Sequence, residues 1–264
     1  MLDLTITSLE TITAFDIQTG NLKFVLDELQ NASIANSEEK VDITGKQGRK
    51  LSSLKRNKAV TISGTNGMLS AGLLAAQTGS ELTRKETEVL WTDYLTVGSA
   101  NTAVISYKAI GTVGAEIEEL WIKSADGALD TRLEQDASAS AGKFSYAPDT
   151  KTLTFNSDVA AGTEIAVYYK RKISADVLEN RSDIHGTKVM MYVDALGEDK
   201  CGNVFRVQFY LPKVDFSGEF SIDLGDNQTV HAFEAESLSG GCGGGMGTNL
   251  YTFTIFGANA EDAA

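Results

Sequence analysis

The sequence predicts an all-β protein with one short helix and an inserted small β-sandwich-like module. Three observations lead there. Short runs alternate apolar with polar residues, only 2 prolines interrupt 264 residues, and glycine (25 residues) with Asx pairs punctuates the runs. The chain is 42% hydrophobic, enough for a sizeable core.

The first region runs from Leu22 to Leu82. Asn21–Leu29 and Lys40–Thr44 read as strands, and the basic segment around Gly45–Gly48 reads as a loop. Lys58–Gly64 alternates Ala59, Thr61 and Ser63 against Val60 and Ile62, the pattern of a half-buried strand. Met68–Ala76 reads as the helix, with Thr65 or Asn66 at its cap and Gly79 at its end. Gly72 inside it lowers intrinsic helix stability and is expected where the helix packs closely on a sheet.

From Glu86 to Lys172 the character changes. Gly98-Ser99-Ala100-Asn101, Asp126-Gly127, Pro148-Asp149 and Ala161-Gly162 mark turns. Between them lie strand-like runs at Thr102–Tyr107, Ile117–Ile122, Lys143–Tyr146, Thr152–Phe155 and Thr163–Tyr169. That spacing fits a small sandwich inserted into a discontinuous domain formed by 1–85 and 173–264.

The last region resumes long strands, Thr187–Leu196 and Val204–Leu211, with Pro212 expected to break the ladder. Phe216–Leu224 then alternates: Phe216, Gly218, Phe220, Ile222 and Leu224 on one face, Ser217, Glu219, Ser221 and Asp223 on the other. After a Gly225-Asp226-Asn227 turn, Thr229–Ser237 carries Glu234 and Glu236 on a shared face. Gly240–Gly247 reads as a flexible connection to a final strand, Leu250–Phe256.

Net charge is −13, and its distribution is uneven. From Val214 onward there is no Lys or Arg, while Asp215, Glu219, Asp223, Asp226, Glu234, Glu236, Glu261 and Asp262 supply eight acids. Lys46–Lys58 is the reverse, holding Lys46, Arg49, Lys50, Lys55, Arg56 and Lys58 without an acid. A chain so poor in cations is not built to grip DNA, whose binding rests on phosphate neutralisation. The basic segment instead suits contact with an identical, acidic subunit.

Catalytic signatures are missing: there is no GxSxG, HExxH or GxxxxGK[ST]. Glu219 with Glu234, or Asp223 with Glu236, offers a carboxylate pair, but acids on an outer sheet face are usually just solvated, and both tryptophans, Trp91 and Trp121, lie in the insert, far in sequence from them. Cys201 and Cys242 read as free thiols. With His185 and His231 they supply zinc-ligand types but not ligand spacing, so neither metal nor cofactor is expected. No run approaches the roughly 18 apolar residues of a membrane span, and the acidic start through Asp16 does not read as a signal peptide, so the sequons at Asn31, Asn180 and Asn227 carry little weight.

The stretch Asp27-Glu28-Leu29-Gln30-Asn31-Ala32-Ser33-Ile34, followed by Ile43-Thr44-Gly45-Lys46-Gln47-Gly48, Asn57-Lys58 and Thr61–Asn66, resembles major tail tube proteins of long-tailed phages and prophages. Tyr210–Lys213, Phe216–Phe220, Asp226–Thr229, Phe233–Glu236 and Tyr251–Phe253 extend the resemblance into the last region. It implies a β-barrel or sandwich with one flanking helix, and hexameric rings stacked around a tape-measure protein. It further implies tail terminator and distal tail proteins as partners, DNA passing without specific binding, no membrane, and residence in the virion tail after assembly in the host cytoplasm. Within that frame Glu219, Asp223, Glu234 and Glu236 are expected to face the lumen, and the bases of Lys46–Lys58 to contact a neighbouring subunit or ring.

Overall fold

The computed structural model describes residues 3–224, 230–239 and 248–257. The expected turn at Gly225-Asp226-Asn227, the glycine connection at 240–247, Cys242, Glu261 and Asp262 lie outside these residues. Among the described residues the structure is mainly β with one α-helix, and it divides into two compact units, 1–82 with 178–264 and 83–177.

In the first unit, β1 (Leu4–Asp16) turns through an Asx motif into β2 (Leu22–Leu26), the Asp16 carboxylate accepting from the backbone N–H groups of Gln18 and Thr19. β3 (Leu29–Thr44) and β4 (Lys50–Asn66) form a long hairpin, closed by a 3-10 turn at Lys46–Gly48. The expected strands at Lys40–Thr44 and Lys58–Gly64 are thus parts of much longer ones. The reading of the basic segment as a loop holds only for the turn, because cross-strand pairing carries Lys50 to Lys58 into β4.

Helix α1 (Ala71–Thr78) is capped by Ser70, whose hydroxyl accepts from the Leu73 N–H at 3.2 Å, and not by Thr65 or Asn66, which β4 retains. Gly79 ends it in the left-handed region, φ +73°. A Cβ on Gly72 would lie 2.8 Å from the Phe24 Cβ, so the close helix–sheet approach is real.

The second unit contains β5 (Thr83–Thr96), β6 (Thr102–Val104), β7 (Ile117–Lys123), β8 (Leu129–Gln135), β9 (Lys143–Ala147), β10 (Thr152–Phe155) and β11 (Glu164–Val177). They pair in the order β5-β11-β7-β8-β9-β10-β6, with β8–β9 parallel. Leu120, Phe144, Leu153, Ile165, Val167 and Tyr169 fill its core. Asp93 is buried there, where its carboxylate accepts from the Tyr169 hydroxyl (2.8 Å), the Ser106 N–H (2.7 Å), the Ser106 hydroxyl and the Trp91 indole. Burial alone would raise its pKa, but these donors outweigh it and hold the group below its ordinary value.

The first unit resumes with β12 (Lys188–Asp199) and β13 (Val204–Phe216). Pro212 does not end β13. Met190 opposes two residues, Pro212 and Lys213, so the proline sits at a bulge where its missing N–H is harmless. The expected strand Phe216–Leu224 breaks after Phe216. Gly218 turns the backbone to φ +78°, only Ile222–Asp223 forms a short β14, and Leu224 is 80% exposed instead of buried. β15 (Val230–Ser237) and β16 (Thr252–Gly257) complete a sheet ordered β2-β1-β12-β13-β15-β4-β3, with β14 on β15 and β16 on β13. This sheet curls into a half-barrel around Ile12, Phe24, Ile62, Met191, Leu211 and Phe233, and Leu73 of α1 packs into the same cluster.

Candidate functional site

Two surfaces of the first unit carry the residues singled out by sequence. The first is the solvent face of β15 and its neighbours. His231, Phe233, Ala235 and Ser237 are buried, so the residues between them point away from the core, and Glu234 and Glu236 are both exposed. They lie about 7 Å apart along the strand. Glu234 stands opposite Ser63 and Glu236 opposite Thr61, and across β4 come Ser33 and Ala35. The far side of Glu236 is Asp215, itself 3.6 Å from Lys188. The face is small, polar and acidic.

Glu219 and Asp223 are exposed as expected, but for a different reason. The broken strand removes the alternation argument, and both sit in the 217–224 segment beside β15, Asp223 opposite Val230. Among the described residues none of the four acids forms an ion pair.

Helix α1 pins β15 from behind. The His231 ring is fully buried: its Nδ1 accepts from the Ser70 N–H (3.3 Å) and its Nε2 lies 2.8 Å from the Gln77 side-chain oxygen. Gln77 in turn donates to the Ala232 carbonyl. Burial holds the imidazole below its ordinary pKa, so it is the neutral, Nε2-protonated ring that fits this pocket. Sequence offered no sign of this anchor beyond an isolated His.

The second surface is the β3–β4 hairpin. Beyond Asn36 and Val60, no hairpin residue is buried, so its outer part, about 27 Å of ribbon, extends past its own core. Three of the six bases expected to form a dense positive patch are matched across the ladder. Lys50 pairs with Asp42 (2.5 Å), Lys55 with Glu38, and Arg56 with Glu39 (2.7 Å). Lys46, Arg49 and Lys58 make no ion pair among the described residues. The patch is therefore weaker than its run of bases suggested, because β3 brings acids that are distant in sequence. What the run concealed is an apolar strip: Val41 faces Leu54 and Ile43 faces Ser52, with Leu54 57% and Ile43 43% exposed.

The outer face of β1, β12 and β13 has another character. Phe15 meets Tyr192 edge-on at 5.9 Å, and Tyr192 stacks on Tyr210 at 4.8 Å. Phe15 and Tyr192 border a shallow depression of about 480 Å³ that Thr13, Met190, Asp194 and Gln208 also line. The alternation of Thr187–Leu196 carried the signal, since Met190, Tyr192 and Asp194 fall on one face.

Among the described residues, no group of three His, Cys, Asp or Glu side chains is placed to hold a metal. Cys201 is an exposed free thiol, and His185 and His231 are not gathered with it. No helix among the described residues is long and apolar enough to cross a membrane.

The sequence pattern of the YomU/Tube protein family matches residues 4–252, nearly the whole chain. No curated protein matches it.

Proposed function

Since the chain belongs to the YomU/Tube protein family and is a phage tail tube protein, we propose that it is the major tube subunit, building stacked hexameric rings whose lumen conducts the genome. The observation that carries this reading is the solvent face of β15. Glu234 and Glu236 stand there among serine, threonine and alanine neighbours, with no base among their direct cross-strand partners. An acidic, small-residue wall repels phosphate and offers no groove for a base, so DNA slides instead of binding. Glu219 and Asp223 extend the same charge.

The other surfaces suit the remaining contacts. The aromatic face of β1, β12 and β13 and the apolar strip of the hairpin would be covered by neighbouring subunits, since a lone two-stranded ribbon is marginal in water. Lys46, Arg49 and Lys58 then meet the acidic chain next door. Closing rings also removes the exposed sheet edges at β3 and β16. The 83–177 unit is assigned to the tube exterior. A tape-measure protein fills the lumen before ejection, terminator and distal tail proteins close the ends, and the tube forms in the host cytoplasm for the virion. The role is structural, not catalytic.

Electron microscopy of the purified full-length protein tests this. Hollow tubes of stacked six-fold rings are the expected product. Single rings that never stack would point to a terminator, and monomers after prolonged concentration would refute self-assembly.

A further inference from the structure

Tyr94, Trp121 and Tyr168 of the 83–177 unit gather on one face of its sheet. β11 alternates cleanly: Ile165, Val167 and Tyr169 join the core, so Glu164, Ala166 and Tyr168 face outward. Ala166 is paired on one side with Tyr94 of β5 and on the other with Trp121 of β7. It stands outside the core cluster yet has no exposed surface, because the larger side chains around it close over its methyl group. Tyr94 itself is 67% exposed. The strands that carry the two rings thus lie two spacings apart, about 10 Å, with Tyr168 next along the central strand. The face of β9 and β10 presents Ser145, Thr152 and Thr154 outward and no aromatic ring.

Charged groups frame the rings in matched pairs. At one end the Lys123 ammonium lies 5.5 Å from the Tyr94 ring centre and 3.1 Å from the Glu164 carboxylate. At the other, Glu119 accepts from both the Trp121 indole (3.1 Å) and Arg132 (2.7 Å). A depression of about 150 Å³ lies beside Tyr94, bordered by Thr96, Lys123 and Glu164. Apolar ring faces supply stacking surface, and neutralised donor–acceptor pairs at the rim supply hydrogen bonds without a net field. That combination fits a ligand with one apolar face and an equator of hydroxyl groups.

We propose that this face binds a neutral pyranose oligosaccharide, one sugar ring on Tyr94 and a second on Trp121, with Lys123–Glu164 and Glu119–Arg132 holding the hydroxyls. The paired charges favour a neutral sugar over a phosphorylated or carboxylated one, since each cation already has its carboxylate. This site does not depend on the tube reading, and it would give the exterior unit a use beyond decoration.

The test titrates the full-length protein with maltotriose, cellotriose and tri-N-acetylglucosamine, by calorimetry and by tryptophan fluorescence. Both tryptophans of the chain, Trp91 and Trp121, lie in this unit, and Trp91 is the internal reporter in Trp121→Phe. At least one sugar is expected to bind saturably with a Kd of about 1 mM or tighter, and Tyr94→Ala to weaken it about tenfold. Tyr94 is exposed, so this variant keeps its fold and its melting curve. No saturable response to any of the three would overturn the proposal, as would an unchanged affinity in Tyr94→Ala. Binding that requires an acidic sugar would overturn the neutral class.

Discussion

Converting Glu219, Asp223, Glu234 and Glu236 to lysine tests the electrostatic role of the acidic face. Each subunit gains eight charge units, so its formal net charge moves from −13 to −5. All four side chains are exposed and none forms an ion pair among the described residues, so each substitution costs about 0.5 kcal/mol or less and tubes still assemble. The effect on DNA is far larger. If the four lysines of one subunit neutralise four phosphates, the logarithm of DNA affinity falls with the logarithm of salt at a slope of about −3.6. Between 50 and 200 mM salt that slope corresponds to roughly a 150-fold change in affinity. Particles carrying the variant are expected to retain their genome at low salt and to recover ejection as salt rises, while the unaltered tube ejects equally well at both. Ejection timed by dye uptake of the released DNA, with tube integrity checked by microscopy, gives the answer. Normal ejection from intact variant tubes at low salt would refute the role, and a location of these side chains on the tube exterior would refute the assignment.

Three further outcomes are expected. Thr83 and Val177 are direct partners in the ladder, so replacing Glu86–Lys172, or the whole 83–177 unit, by a short Gly-Ser linker should leave soluble, assembling protein; loss of rings in a folded deletion variant, seen by microscopy, would reject a peripheral position. Reversing Lys46, Arg49 and Lys58 to glutamate should slow stacking and change its salt dependence more than it lowers the melting temperature, because these groups are exposed and make no ion pair among the described residues; light scattering across a salt series decides it. Folding holds His231 below its ordinary value of 6.5, so its contribution to stability is fully present above that pH and is lost as pH falls through the folded-state value. The loss approaches about 1.4 kcal/mol per pH unit for one proton, and urea unfolding from pH 7.5 to 5 should show a slope that His231→Gln abolishes.

Much of the local structure was legible in the residues. The alternation of Val60 and Ile62 against Thr61 and Ser63, the glycine end of α1 at Gly79 and the close approach at Gly72 were all readable, because side-chain period and glycine geometry are local properties. The same holds for the separation of Glu234 and Glu236 from the core, once Phe233 is known to be buried. Two readings failed for one shared reason. Phe216–Leu224 has a strand's pattern but no continuous partner, and Gly218 lets the chain leave the sheet. The Lys46–Lys58 run has a loop's composition, yet β3 supplies it with both a ladder and acids. Pairing is a non-local property, so the broken strand, the extended hairpin and the neutralised bases appear only when distant segments meet. The same is true of the two surfaces that no motif announced, the rings on β1, β12 and β13 and the Tyr94–Trp121 face. The sequence by itself determined the all-β class, the positions of most strands, the single helix and the acidic character of the last region, since these rest on residue type and spacing. Only the tertiary structure decided which strands are neighbours, and hence which charges are cancelled, which acids stand alone and which aromatic residues share a face, because each depends on a register set by burial across the whole sheet.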